Sequence, residues 1–221
     1  MIINDKFISD IEKLIGSIER EYQGNKGLIL TEGDLASLIY CRIRSYFFPL
    51  NRQNNSGLRW RMRTQDQYIY ASPVHTEVPW YDSSGKLTIR PDITILEPSK
   101  LSILHRYRNG FKLIINSDSS GLPSKQFEFG GDAILMELKF IRNKSGITRR
   151  TVNKFKADYE KIRKLRKRHG LSDNEIGTFY SFFIIFNKTD KRCLEFDQFL
   201  IEHENSIWYK FLYGTGQVTF R

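Results

Sequence analysis

The sequence predicts an α/β domain, a mixed central β-sheet flanked by helices. Three observations lead there. Segments with apolar residues at helical spacing alternate with segments of strand character. Residues 178–186 are almost continuously apolar and β-prone, as expected of a strand covered on both faces. A chain of 221 residues, 40% hydrophobic, can bury most of its surface in one core without a disulfide or structural metal.

The elements follow in order. A first helix is expected over residues 5–21, where Ile8, Ile11, Leu14, Ile15 and Ile18 share one face and Gly24 and Gly27 end it. Thr31 opens a second helix with Asp34 three residues on, a loose capping box. Leu35, Leu38, Ile39 and Ile43 form its apolar face. Residues 48–67 read as a loop rich in arginine. Strands over 68–80 and 87–96, joined by Asp82-Ser83-Ser84-Gly85, read as a β-hairpin. Residues 97–125 read as an insertion containing a short strand at 111–115 and a loop at 116–124. A strong strand at 133–140 precedes a helix over 147–169, striped by Val152, Phe155, Tyr159, Ile162 and Leu165 and ended by Gly170. The strand at 178–186, a helix at 190–204 and a terminal strand from Ile207 complete one domain: an N-terminal helix (1–30), a core (31–187) and a C-terminal helix and strand (188–221).

Thirty-five basic against twenty-five acidic residues give a net charge of +10, which favours a polyanionic partner, nucleic acid or an anionic surface. No apolar run is long enough to span a membrane, and MIINDKFISD lacks the basic-then-apolar pattern of a secretory signal. Two distant cysteines, Cys41 and Cys193, read as reduced thiols, so a cytoplasmic location is expected.

The chemistry concentrates in two fragments. In Ala133-Ile134-Leu135-Met136-Glu137-Leu138-Lys139-Phe140, an acid and a base interrupt an apolar strand. Alternation places Glu137 and Lys139 on one face, and two charges in such a run are costly unless paired, solvated or bound. In Arg90-Pro91-Asp92-Ile93-Thr94-Ile95-Leu96, Asp92 interrupts an earlier apolar strand. Two carboxylates on neighbouring strands suit a hard divalent cation, and a nearby lysine suits charge building on phosphorus. An E-x-K triplet arises about once by chance in a chain of this length. This one is the sole [DE]-x-K in the sequence and lies mid-strand, before a helix.

Pro91-Asp92 and Glu137-Leu138-Lys139, set in the order helix, three strands, helix, strand, resemble the PD-(D/E)XK nuclease superfamily. The resemblance covers roughly residues 31–187. It implies a restriction-endonuclease-like fold, Mg²⁺ or Mn²⁺ held by Asp92, Glu137 and the Leu138 carbonyl, and Lys139 as catalytic lysine. It also implies an acidic residue on the preceding helix, which Glu32 matches. Glu77, on the strand paired with that of Asp92, is a further acidic candidate. The segment 38–42 resembles iron–sulfur nucleases, but a cubane cluster needs four cysteines and the chain has two, so no cluster is expected.

Arg59, Trp60, Arg61 and Arg63 are the expected nucleic-acid contacts, since arginine neutralises phosphate and tryptophan stacks on bases. The basic run 161–168 is read equally as a phosphate contact and as a solvated helix face. His75, His105, His169 and His203 lack metal-site spacing. The expectation is a metal-dependent nuclease acting on DNA ahead of RNA, in restriction, defence, mobile-element or repair work; a homodimer stays open. The alternatives are a catalytically inactive nucleic-acid-binding scaffold and an RNA-cleaving toxin or effector.

Overall fold

The architecture comes from a computed structural model that describes residues 3–25, 27–47, 59–61, 68–70, 72–81, 87–96, 101–106, 112–114, 127–129, 131–168, 179–206 and 208–215. Helix α1 (Asp5–Gly24) starts where the Asn4 side chain accepts the Phe7 N–H at 2.9 Å. Ile8, Ile11, Ile15, Ile18 and Tyr22, spaced three and four apart, are its buried stripe. Helix α2 (Glu32–Phe47) starts at a reciprocal cap: Asp34 N–H donates to Thr31 Oγ1 at 3.1 Å and Thr31 N–H to Asp34 Oδ2 at 2.9 Å. Leu35, Ile39 and Ile43 bury its inner face.

Twelve strands are described: β1 (Arg59–Arg61), β2 (Tyr68–Tyr70), β3 (Val74–Thr76), β4 (Trp80–Tyr81), β5 (Leu87–Ile89), β6 (Ile93–Leu96), β7 (Leu101–Arg106), β8 (Lys112–Ile114), β9 (Phe127–Phe129), β10 (Ala133–Ile141), β11 (Phe179–Asn187) and β12 (Tyr209–Thr215). The central sheet has the order β12-β11-β10-β6-β3. β10, β11 and β12 run parallel; β6 pairs antiparallel with both β10 and β3. Helix α3 (Arg149–Arg168) connects β10 to β11, and α4 (Leu194–His203) connects β11 to β12. Parallel neighbours require such crossovers.

Both sheet faces are covered. On one, Ile134, Met136, Leu138 and Phe140 pack with the stripes of α1 and α2. On the other, Ala133, Leu135, Phe183 and Ile185 pack with Val152, Phe155, Ile162 and Leu165 of α3 and Phe196 and Phe199 of α4. All nine residues of β11 are buried, Ser181 and Asn187 included, as its almost continuously apolar sequence predicts.

Several expectations are corrected. Residues 48–67 are not all loop: Arg59–Arg61 forms β1 against β2. A three-residue Arg-Trp-Arg strand has no apolar alternation to reveal it. The hairpin exists but is interrupted. Pairs Val74↔Ile95 and Trp80↔Ile89 keep a single register, with the ladder broken over 77–79 and 90–92. Pro79 and Pro91 stand in the two gaps, and proline has no N–H to donate. The insertion holds β7 and β8, and β9, just beyond it, completes a three-stranded sheet of order β8-β7-β9. Its expected strand at 111–115 corresponds to β8, whereas β7 and β9 were not anticipated; the hairpin turn at 82–85, the loop at 116–124 and Gly170 lie outside the described residues.

Candidate active site

β10 outlasts its antiparallel neighbour. The β10–β6 ladder ends at Met136↔Ile93, leaving the next outward-facing backbone groups of β10 without a strand to bond. Two carboxylates fill the gap. Leu138 N–H donates to Asp92 Oδ2 at 2.7 Å, and Phe140 N–H donates to Glu32 Oε2 at 3.1 Å. Such charge-assisted bonds satisfy groups that would otherwise be orphaned. They bracket Lys139, whose side chain turns to the other face.

Asp92 is not within a strand, as expected, but one residue before β6, in the break that Pro91 creates. The register still places it. One step beyond Met136↔Ile93 sets Asp92 opposite Glu137, and one step beyond Thr76↔Ile93 sets Glu77 opposite Asp92. Glu77 N–H donates to Asp92 O at 3.2 Å, which closes that last step. Glu77 therefore also stands just outside its strand. Its φ of +52° is in the left-handed region, unusual for a residue with a side chain.

Glu137 and Lys139 share a face as alternation requires: Lys139 Nζ donates to Glu137 Oε1 at 2.7 Å. Glu137 is only 8% exposed, and its Oε2 is buried without a hydrogen-bond partner. Burial pushes its carboxyl up to about 7, outweighing the pull of Lys139. Asp92 is also raised, chiefly by burial; the Leu138 N–H and Lys139 pull it down, while Glu32 and Glu77 push it up. For Lys139, burial opposes the charge, but Glu137, Glu32 and Asp92 together hold it above the ordinary lysine value. Among the described residues, the centre thus has more carboxylate than its one lysine neutralises.

That surplus fits a cation. Glu137 Oε2 is an orphaned acceptor, and Asp92 faces Glu137. Leu138 turns its N–H toward Asp92, so its carbonyl shares that edge, because a strand residue presents both groups to one side. Among the described residues no three Asp, Glu, His or Cys side chains are grouped to hold an ion by themselves. Two carboxylates, a carbonyl and retained waters are a set that suits Mg²⁺. A cleft of about 460 Å³ opens beside the centre, lined by Glu32, Ser37, Tyr40, Cys41, Glu77 and Asp92.

Two neighbours of Glu137 were not anticipated. The Tyr209 hydroxyl is fully buried and without a hydrogen-bond partner; burial raises its pKa first, then the nearby Glu137, Tyr159 and Asp158. Asp158, on α3, accepts from Lys161 Nζ at 2.7 Å and bears electrostatically on Glu137. In sequence, Asp158 is one polar position in a lysine-rich helix and Tyr209 one aromatic of a terminal strand, so neither carries a signal.

The expected nucleic-acid contacts are not brought to the site by anything described. Arg59, Trp60 and Arg61 are placed as backbone in β1, their side chains lie outside the described part, and so does Arg63. In the run 161–168, Arg166 is buried, donates to Phe179 O and stacks 4.3 Å from the Trp208 ring, so it is structural. Half-buried His203 packs edge-on to Tyr159, its Nδ1 2.8 Å from Phe199 O.

Comparison with known proteins gives no match: no family model, curated protein or solved structure is similar enough to place the chain in a family. Among the described residues no helix is long and apolar enough to cross a membrane.

Proposed function

We propose that this protein is a divalent-metal-dependent nuclease of the PD-(D/E)XK type, with Asp92, Glu137 and Lys139 as its reacting centre. One observation carries the reading: Glu137, buried and raised to about 7, keeps an unpartnered oxygen beside Lys139 and opposite Asp92. Carboxylates perturbed by burial and converging with a charged partner beside a cleft are the pattern of a functional-site candidate. The restriction-endonuclease-like fold is supported by the order of the central strands: an antiparallel β3, β6, β10, then a helical crossover to a parallel β11.

A Mg²⁺ or Mn²⁺ ion held by Asp92, Glu137 and the Leu138 carbonyl would supply Lewis acidity at the phosphate and a more acidic water. The chain's own groups supply the rest. Lys139, kept protonated by the surrounding carboxylates, offsets negative charge developing on phosphorus. Asp92 and Glu32 tether the backbone on either side of Lys139, so its ammonium is aimed by two fixed points. Glu32 thereby acts through the backbone as a positioning residue, and Glu77 closes the interrupted hairpin around Asp92. Cys41 and Cys193 are both free thiols, in keeping with work in the cytoplasm. The proposed substrate is DNA, and the Arg59, Trp60, Arg61 and Arg63 segment a proposed contact for it.

The scaffold alternative has one observation in its favour: Glu137 Oε1 is already taken by Lys139. Incubation with supercoiled plasmid, linear duplex, single strands and RNA, each with Mg²⁺, Mn²⁺ or EDTA, separates the readings. Cleavage of DNA with either ion and none in EDTA is expected. Cleavage of RNA alone would shift the reading to an RNA-cleaving effector. No cleavage of any substrate would leave the scaffold.

A further inference from the structure

We propose that the two segments that follow β10 and β11, residues 142–150 (a loop and the first two residues of α3) and 188–192, form a docking surface for the phosphate backbone of a nucleic-acid duplex. The partner class rests on the nuclease reading, which by itself names no such surface.

The loops form one platform. Ile147 N–H donates to Lys191 O at 2.9 Å, Cys193 N–H to Ile147 O at 3.0 Å, and Lys188 N–H to Ile141 O at 3.0 Å. Asn187 Nδ2, buried at the end of β11, bonds Lys191 O at 3.0 Å and Tyr213 Oη at 2.9 Å. Gly146 has φ +66°, and a Cβ there would collide with Lys191 O. Only glycine lets the loops approach so closely.

The platform carries a strong charge. Arg142, Lys144, Arg149, Arg150, Lys188, Lys191 and Arg192 are all exposed on it, against one half-buried acid, Asp190. Arg149 pairs with Glu195 at 3.8 Å and Arg192 with Asp197 at 2.6 Å. The other five cations have no ion-pair partner among the described residues. Packing like charges onto a rigid surface is unfavourable without a counter-charge, and a phosphate backbone is the counter-charge that releases ions on binding. By contrast, Lys161 and Arg163 on α3 pair with Asp158 and Glu160, and Arg166 is buried.

Position and composition select the partner. Arg142 directly follows the last residue of β10 and stands three residues beyond Lys139, about 10 Å at strand rise. A backbone lying on the loops therefore reaches the carboxylate and lysine centre. Neither loop contains an aromatic residue on which unpaired bases would stack, whereas Asn143, Ser145, Thr148 and Thr189 add phosphate hydrogen-bonding groups. The one apolar side chain of the two loops, Ile147, is buried, so the surface offers no lipid anchor.

The test is equilibrium binding of a fluorescent duplex in EDTA across a salt series. It compares the wild type with the fivefold alanine variant at Arg142, Lys144, Arg150, Lys188 and Lys191. A control removes Lys164, Lys167 and Arg168 from α3, and circular dichroism confirms that each variant folds. The wild type should bind with a steep salt dependence. In the fivefold variant the slope of log Kobs against log salt should fall by about 0.9 for each phosphate no longer neutralised. The control should change it less per charge removed. An unchanged slope in the fivefold variant, a larger effect in the control, or binding to anionic vesicles but not to duplex would each overturn the proposal. Cleavage is scored separately with Mg²⁺. A wild type that binds through these loops but never cuts would sink the nuclease reading alone; one that cuts while the variant keeps its slope would sink this surface alone.

Discussion

Glu137 is held where one ion pair does not compensate its burial, and this has a consequence for stability. Its carboxyl is raised from 4.5 to about 7. The folded protein therefore binds a proton that the unfolded chain releases between those values, so stability falls as pH rises through that window. A shift of this size corresponds to on the order of 3 kcal/mol. Asp92, also raised, acts in the same direction. Lys139, raised above the lysine value, contributes stability that is lost only at strongly alkaline pH. In metal-free buffer the melting temperature should drop between pH 5 and pH 8, and Glu137→Gln should flatten that drop. Mg²⁺ should raise the melting temperature more at pH 8, where Glu137 is ionised, than at pH 5. A pH-independent melting curve for the wild type would show that Glu137 titrates normally. At this scale the sequence was informative where charge conflicts with pattern. Glu137 and Lys139 were visible because they break an apolar strand. Glu32 was visible only as an acid on the inner side of α2; its bond to the Phe140 N–H spans 108 residues and leaves no local trace.

Elements hold these side chains in place through their ends. Glu32 is the first residue of α2, directly after the Thr31 cap. Thr31→Ala should cost about 1 kcal/mol of stability. It should also loosen Glu32, which hydrogen exchange would register as faster exchange of the Phe140 amide; unchanged protection there would mean that Glu32 is positioned without the cap. Just past the same end of β10, Gly146→Ala meets both an unfavourable φ and a backbone collision. Its cost should exceed the roughly 1 kcal/mol of a strain-free backbone change, measured by urea denaturation. Helices were legible because three- and four-residue spacing persists over several turns, as in Ile8, Ile11, Ile15 and Ile18. β11 was legible from its almost continuous apolar run. The interruption at 77–79 and 90–92 was not, although Pro79 and Pro91 announce it once the register is known. β7 and β9 are not legible because, with β8, they pair only among themselves, in a sheet apart from the central one.

Over the whole molecule, two apolar layers clamp the central sheet, and the polar chemistry gathers where β10 runs past its antiparallel neighbour. The chain's net charge of +10 coexists with four acids, Glu32, Glu77, Asp92 and Glu137, gathered around one lysine among the described residues. Acidic centre and basic loops adjoin along one strand, an arrangement suited to a polyanion whose scissile group needs a cation. The direct measurement is single-turnover cleavage of a DNA substrate by wild type, Asp92→Ala and Lys139→Ala at matched occupancy, with Mg²⁺ and with Mn²⁺. Lysine acting on the transition state predicts that Lys139→Ala binds DNA as the wild type does but loses at least about a hundredfold in rate. Asp92→Ala should lose activity through metal affinity and recover part of it in excess Mn²⁺. A Lys139→Ala variant that cuts as fast as wild type would contradict the assignment of this centre.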